Sequence, residues 1–222
     1  MQAHRNRPTR QELEEDHFVE WVMEAVDYVR NRAQLFVGGA AAIVVAILAV
    51  TYVQSSRQDA RHAATALLGQ AIIADESGRV EEAVGLAEQV NSKYAGTPAA
   101  AQATVLLANR YYLQGRYADA ERLFQSYLDD YGDAEVLAYA AWSGLAACYE
   151  AQGDMRRAAD KYRSYADQYS DRDEAALALM DAARCYGAAG DAAQQKQALE
   201  RVTRDYPKTP VVSRAREDLG ML

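Results

Sequence analysis

The sequence is poor in cysteine, histidine and proline, and each shortage excludes a class of protein. Two cysteines among 222 residues cannot build the disulfide framework of a small secreted domain. The three histidines, His4, His17 and His62, are far apart, and none has a second ligand at metal-binding spacing, so we predict no metal site. Only four prolines interrupt an alanine-rich chain, which favours packed helices.

Basic residues are in the minority, and nucleotide-binding patterns are missing. Twenty-four lysines and arginines against 32 acidic residues give a net charge of -8, and no basic stretch could follow a nucleic-acid backbone. The sequence contains no GxxxxGK, GxGxxG or GxSxG pattern. Adjacent carboxylates such as Asp129 and Asp130 lie on different faces of a helix and are typical of a solvated surface, not of an acid–base pair. We therefore predict a protein that is not an enzyme, needs no cofactor and binds no nucleic acid.

One long apolar segment extends from Ala33 to Ser56 without a charged residue. Its 24 residues are enough for a helix to cross the roughly 30 Å hydrocarbon core of a membrane. A cleaved signal peptide places its apolar core directly after a short basic start, whereas here more than thirty residues with seven acidic groups come first. The segment 33–56 is thus predicted to be a permanent transmembrane helix.

The distribution of arginines predicts the orientation of this helix. Five arginines precede the segment, whereas only two follow it closely: Arg5, Arg7, Arg10, Arg30 and Arg32 against Arg57 and Arg61. Positive charge is retained on the cytoplasmic side of a membrane helix. We predict a single-pass protein of a bacterial cytoplasmic membrane, with residues 1–32 in the cytoplasm and residues 57–222 in the periplasm.

The cytoplasmic segment contains a pattern for one amphipathic helix. Thr9 and Glu12 have capping-box spacing, and Phe18 begins an apolar stripe that Val22 and Val29 continue. The remaining surface is acidic, so an anionic lipid surface would repel it. The stripe is expected to meet a protein partner or another copy of the chain, with a helix lying in the membrane interface as the alternative.

Four glycines mark an internal repeat in the rest of the chain. Gly78, Gly115, Gly153 and Gly190 are spaced by 37, 38 and 37 residues. Seven residues before each glycine is an alanine, and sixteen residues after each is a tyrosine: Tyr94, Tyr131, Tyr169 and Tyr206. A period of this length indicates a stack of similar units. Each unit is predicted to consist of two helices joined by a glycine turn.

Two threonine–proline pairs are typical of helix starts. Thr97 and Thr209 are predicted as N-caps, with Pro98 and Pro210 in the first turns. The second pair would open a short helix that ends near Gly220 and has no hairpin partner. A short helix without a hairpin partner is typical of the helix that caps the end of a repeat stack.

These residues resemble the tetratricopeptide repeat family. The stretch WSGLAACYEAQGDMRRAADKYRSY carries its pattern from Trp142 through Ala146, Tyr149 and Gly153 to Tyr162. The first unit departs from it, with alanines at positions 74 and 87 where aromatic residues would be expected. The resemblance covers about residues 57–222. It implies an all-α fold, a right-handed superhelix of about four helical hairpins with a C-terminal capping helix.

The order of segments also resembles the bacterial ancillary subunits of the SecYEG translocon, which connect the translocon to periplasmic chaperones. This resemblance implies a membrane-anchored interaction scaffold whose partners are the translocon or a periplasmic chaperone. Two alternatives are an organiser of the envelope or of cell division, and a regulatory subunit that senses through its cytoplasmic helix. The oligomeric state is not predicted.

In the tetratricopeptide repeat family the first helix of each hairpin lines the concave, protein-binding face. Carried over by distance from each turn glycine, the resemblance implies a binding face formed by Gln102, Val105, Asn109, Tyr112, Ser143, Ala147, Glu150, Met180 and Arg184. The lysine and asparagine cluster with which some members hold a C-terminal carboxylate is missing.

The two cysteines occupy one position of the repeat. Cys148 and Cys185 each lie five residues before a turn glycine. Equivalent helices of neighbouring hairpins lie about 8–10 Å apart, whereas a disulfide needs Cα atoms within about 7 Å. Two unpaired thiols are therefore predicted.

Overall fold

The computed structural model describes residues 10–132 and 137–222. Thr9, the proposed cap of the first helix, lies outside these residues. Within them the chain is helical and contains no strand, as predicted. The helices are α1 (Arg10–Asn31), α2 (Ala33–Glu76), α3 (Val80–Lys93), α4 (Pro98–Leu113), α5 (Tyr117–Tyr131), α6 (Ala138–Ala151), α7 (Met155–Gln168), α8 (Glu174–Ala188), α9 (Ala192–Asp205) and α10 (Val212–Gly220).

The chain divides into two compact units, residues 1–58 and 59–222. The described part of the first unit contains α1 and the beginning of α2. From Val37 onward α2 is long and apolar enough to cross a membrane, with a mean hydropathy of 2.0 in its apolar window and none of that window buried. Length and composition are thus compatible with the predicted span 33–56, which stays a prediction.

The second unit consists of four helical hairpins and a final helix. The hairpins are α2–α3, α4–α5, α6–α7 and α8–α9, where α2 contributes its C-terminal part. The four repeat glycines form the turns, with φ between 73° and 82°, a conformation that a side chain disfavours. After each glycine the next backbone N–H bonds back to the carbonyl five residues earlier, as in Arg116 to Tyr111 (2.8 Å). The glycine period therefore predicted the turns correctly.

The two threonine–proline pairs behave differently. The Thr97 hydroxyl accepts a hydrogen bond from the Ala100 N–H (3.2 Å) and caps α4 as predicted. The prediction for Thr209 was wrong, because α10 begins three residues later. The Thr209 carbonyl accepts from the N–H of Val212 (3.2 Å), three residues ahead, which closes a tight turn instead of the first α-helical turn. The C-terminal helix itself is confirmed and packs against α9.

Three of the four repeat tyrosines form a hydrogen bond with the loop after the preceding hairpin. The Tyr131 hydroxyl accepts from the Gly96 N–H (3.1 Å), and the Tyr169 hydroxyl donates to the Gly132 carbonyl (3.1 Å). The Tyr206 hydroxyl donates to the Ser170 carbonyl (2.9 Å). Each bond spans 35 to 37 residues, about one repeat. The tyrosine period thus has a physical reason, since it satisfies loop backbone groups between neighbouring hairpins.

Removing the hydroxyl group of one tyrosine tests how much its hydrogen bond contributes to stability. We expect Tyr169→Phe to lower the free energy of unfolding by about 1 kcal/mol, because the ring stays in place while the Gly132 carbonyl loses its donor. Tyr94→Phe is the matched control, since no hydrogen bond to its hydroxyl is found among the described residues. Urea denaturation of the full chain in detergent micelles measures both variants. Equal midpoints for the two would contradict the assignment.

Candidate functional site

The predicted binding residues lie on α4, α6 and α8, the first helices of three hairpins. They stand at repeated distances before the turn glycine, so they share one side of successive helices. Gln102 and Asn109 are exposed, whereas Val105 is buried in the hairpin core. Among the described residues the structure brings several of them into two open cavities.

The first cavity lies against α2 and α4 and has a volume of about 480 Å³. Gln102, Val105 and Asn109 line it together with Leu106, Asp75, Arg110 and Leu137. Arg110 Nη2 donates to Asp75 Oδ2 (2.6 Å), and both side chains are largely shielded from solvent. This ion pair joins the first two hairpins, and the amide groups of Gln102 and Asn109 lie beside it as hydrogen-bonding groups for a ligand.

The second cavity lies at α8, α9 and α10 and has a volume of about 500 Å³. Met180 and Arg184, two of the predicted residues, line it. Its other lining residues combine an apolar surface with two acidic residues and a further arginine: Leu177, Asp181, Ala183, Gly187, Gln195, Leu199, Val211, Arg214, Asp218, Met221 and Leu222. An apolar concavity with a few charged groups is typical of a site for a side chain of another molecule.

Two of the predicted residues bind each other. Arg184 donates to both carboxylate oxygens of Glu150, at 2.6 and 2.9 Å, and the Tyr162 hydroxyl donates to the same carboxylate (2.9 Å). The hydrogen bonds from Arg184 hold the pKa of Glu150 below its usual value. This network holds α8 to α6, so the carboxylate of Glu150 is already occupied by the fold.

Asp181 is a partly buried acidic residue of the second cavity. Desolvation raises the pKa of its carboxyl group, and the nearby Arg184 opposes that rise. Arg184 Nη2 also donates to Asp181 Oδ1 (3.3 Å). A positively charged group of a ligand would meet the Asp181 carboxylate on the wall of this cavity.

The remaining predicted residues line neither of these cavities. The Tyr112 ring packs against the Tyr117 ring with centroids 5.4 Å apart. The Ser143 hydroxyl donates to the Tyr139 carbonyl (2.7 Å). Sequence reasoning missed Asp75 and Leu177, although each stands at the same distance before its turn glycine as a predicted residue. It could not find Arg214, because α10 lies outside the repeat period.

No group of metal-binding side chains occurs within residues 10–132 and 137–222. Both cysteines are buried and unpaired, as predicted from their shared position in the repeat.

Comparison with protein families agrees with the hairpin geometry. A sequence model described as tetratricopeptide repeat matches residues 68–135 and again 105–173, and a second model with the same description matches residues 177–209. Together the matched residues make up more than half of the chain. The chain belongs to the tetratricopeptide repeat family. Its second unit is thus a tetratricopeptide-repeat domain, and such domains are protein–protein interaction scaffolds.

Two solved structures of low sequence identity share this fold, and a third is reported with a lower TM-score. A putative kinesin light chain repeat protein from Podosopora anserina is 22% identical, with a TM-score of 0.54 over 71% of this chain and 83% of that one. BtubC from P. vanneervenii is 15% identical, with a TM-score of 0.56 over 72% and 65%. The translocator chaperone SycD of Yersinia enterocolitica is 21% identical, with a TM-score of 0.44 over 55% and 89%. The sequence has no significant match among curated proteins.

Proposed function

We propose that the chain is a membrane-anchored scaffold that docks proteins of the secretion and chaperone machinery at the outer face of a bacterial cytoplasmic membrane. The observation that carries the proposal is the pair of open cavities on the first-helix side of a tetratricopeptide-repeat domain. Both contain residues placed there by the repeat register, and neither contains a nucleophile–base pair. Binding without catalysis is the function that this geometry supports best.

The membrane part of the proposal is supported by the apolar stretch of α2 and by the arginine distribution around it. Residues 33–56 would form the anchor, with residues 1–32 in the cytoplasm and the repeat domain in the periplasm. The partner would be the translocon or a periplasmic chaperone, as the order of segments suggested.

Photo-crosslinking in native membranes tests the partner. A benzophenone amino acid at Asn109 or Met180 reports on the two cavities, and the same group at the exposed Lys196 of α9 serves as the control. We expect both cavity probes to crosslink to a translocon subunit or a periplasmic chaperone, and the control to give none of these products. Recovery of neither class of protein from the cavity probes would refute the proposed function.

A cysteine label tests the topology separately. Ser92 is exposed in the repeat domain and Glu20 is exposed on α1, whereas both native cysteines are buried. A membrane-impermeant maleimide should label Ser92→Cys in intact spheroplasts, and Glu20→Cys only after the membrane is permeabilised. The opposite pattern would show that the repeat domain is cytoplasmic.

A further inference from the structure

The last hairpin departs from the repeat at two positions that meet in space. Three residues before the turn glycine it has Gly187, where the earlier hairpins have larger side chains: Asp75, Tyr112 and Glu150. Five residues after the turn glycine it has the partly buried Gln195, where the earlier hairpins have fully buried alanines: Ala83, Ala120 and Ala158. A Cβ at position 187 would lie only 2.8 to 2.9 Å from the amide group of Gln195. The glycine therefore makes room for the glutamine.

The amide group of Gln195 is a hydrogen-bonding group on the wall of the second cavity. Both Gly187 and Gln195 line this cavity. Within residues 10–132 and 137–222 the side-chain amide of Gln195 forms no hydrogen bond. A carboxamide carries donors and an acceptor side by side. These groups complement the C=O and N–H groups that an extended peptide backbone presents.

Apolar side chains form another part of the same cavity. Leu199 is almost completely buried beneath it, Met180 and Val211 are half-buried, and Leu177 is exposed. The volume of about 500 Å³ falls within the range of ligand-binding clefts. The cavity can therefore remove a large apolar side chain of a ligand from water, which is the main source of binding free energy in such sites.

Negative charge is in excess around this cavity. Asp181 and Asp218 contribute carboxylates, whereas Arg184 and Arg214 contribute guanidinium groups. Arg184 donates to both carboxylate oxygens of Glu150, at 2.6 and 2.9 Å, and reaches Asp181 only at 3.3 Å. Three carboxylates thus share two guanidinium groups, and the best hydrogen bonds of Arg184 go to Glu150. The Asp181 carboxylate is left to attract a positive charge from a ligand.

We propose that the second cavity binds an extended peptide segment of a partner protein in which a lysine or arginine stands beside a large apolar residue. The peptide backbone hydrogen-bonds to the amide of Gln195, and the apolar side chain packs against Met180 and Leu199. The cationic side chain pairs with Asp181. This inference rests on the proposed function, because it takes the ligand to be a protein, and it adds the chemistry that the partner must present at this site.

Peptide selection tests this chemistry. A phage library of random dodecapeptides is selected on the full chain in detergent micelles, and the enriched sequences are compared with the unselected library. We expect enrichment of lysine or arginine next to leucine, isoleucine, methionine or phenylalanine. Failure to select any peptide would overturn the inference, and so would enrichment of acidic residues beside the apolar one.

A substitution of Gln195 tests the contact to the peptide backbone. Gln195→Ala introduces the residue that the earlier hairpins carry, and alanine is the better helix former, so the fold is retained. Gln197→Ala is the matched control, because Gln197 lies on the same helix but does not line the second cavity. With a fluorescein-labelled selected peptide, anisotropy titration should give a Kd about fivefold higher for Gln195→Ala and an unchanged Kd for Gln197→Ala. Equal Kd values for the parent and Gln195→Ala would contradict the inference.

A double-mutant cycle tests the ion pair. Replacing the basic residue of the selected peptide by glutamine should weaken binding to the parent chain about tenfold. The same peptide change should alter binding to Asp181→Asn by less than about twofold, because the carboxylate that it addresses is gone. Asp129→Asn is the control, since Asp129 is an exposed carboxylate of α5 outside the second cavity, and it should preserve the tenfold loss. A tenfold loss that persists in Asp181→Asn would overturn the pairing.

Photo-crosslinking separates this inference from the proposed function. Selection of basic–apolar peptides without a translocon or chaperone adduct at Asn109 and Met180 would refute the proposed function and leave the ligand chemistry standing. Such adducts without any basic–apolar preference in the peptides would refute this inference alone. Urea midpoints of Gln195→Ala and Asp181→Asn close to the parent value exclude misfolding as the cause of weaker binding.

Discussion

Replacing Phe124 by alanine is expected to lower the free energy of unfolding by about 3–5 kcal/mol, the largest effect of any single change considered. The side chain is 1% exposed and lies in the core cluster shared by α5 and α6. Its removal leaves a cavity between two hairpins that neither helix can close alone. Urea denaturation of the full chain in detergent micelles, followed by circular dichroism, measures the loss.

The Phe124 ring and Gly144 should be strongly coupled. Gly144→Ala alone would press a methyl group into the ring at 2.3 to 2.7 Å, and we expect a cost of about 1–3 kcal/mol. In the Phe124→Ala background the methyl group enters the vacated space, and the substitution should be neutral or stabilising. Gly85→Ala, which meets nothing, should be neutral or stabilising in both backgrounds. Additive costs of the two changes at Phe124 and Gly144 would contradict the contact.

Much of the repeat domain could be predicted from the sequence because its packing is periodic. The alanines seven residues before the turn glycines, such as Ala108 and Ala146, are buried in the hairpin cores. The glycines themselves adopt the positive φ that their spacing suggested. The N-cap at Thr97 could also be predicted, because its hydrogen bond joins groups only three residues apart. These features repeat or are local, so one sequence contains enough information.

Contacts between hairpins could not be predicted, because they depend on side chains about 35 residues apart. The sequence placed Glu150 and Arg184 on one face and suggested that both were available to a ligand. The structure instead joins them in a bidentate ion pair. The hydroxyl partners of Tyr131 and Tyr169 are loop backbone groups, to which no residue type points. Register predicts a face, but rotamers decide which groups on that face are free.

In the candidate site, too, features that follow the repeat could be predicted, whereas features outside the repeat could not. Gln102 and Asn109, which the resemblance assigned to the binding face by distance from the turn glycine, line one cavity, and Met180 lines the other. The wall that α10 adds to the second cavity, with Val211 and Arg214, has no counterpart in the repeat. A helix outside the period can be positioned only from the packed structure, and here it adds one wall to the second cavity.

The two cysteines should be almost unreactive in the folded chain. Burial raises the pKa of Cys148 to about 11 and that of Cys185 to about 12, from an ordinary value of 9.0. Because the thiolate is the reacting species, labelling at pH 8 should be slowed by about a hundredfold for Cys148 and a thousandfold for Cys185 through protonation alone. Ser92→Cys supplies an exposed reference thiol, and the labelling rate with a maleimide reagent is the measurement.

The raised pKa values also predict how stability depends on pH. Between pH 9 and pH 11 the unfolded chain loses protons from both thiols while the folded chain keeps them, so the free energy of unfolding must fall as the pH rises through this range. Replacing both cysteines by alanine removes this part of the pH dependence. Unfolding without reductant should expose two titratable thiols per chain. Finding none would mean that the cysteines are paired, and that neighbouring hairpins approach more closely than helix packing allows.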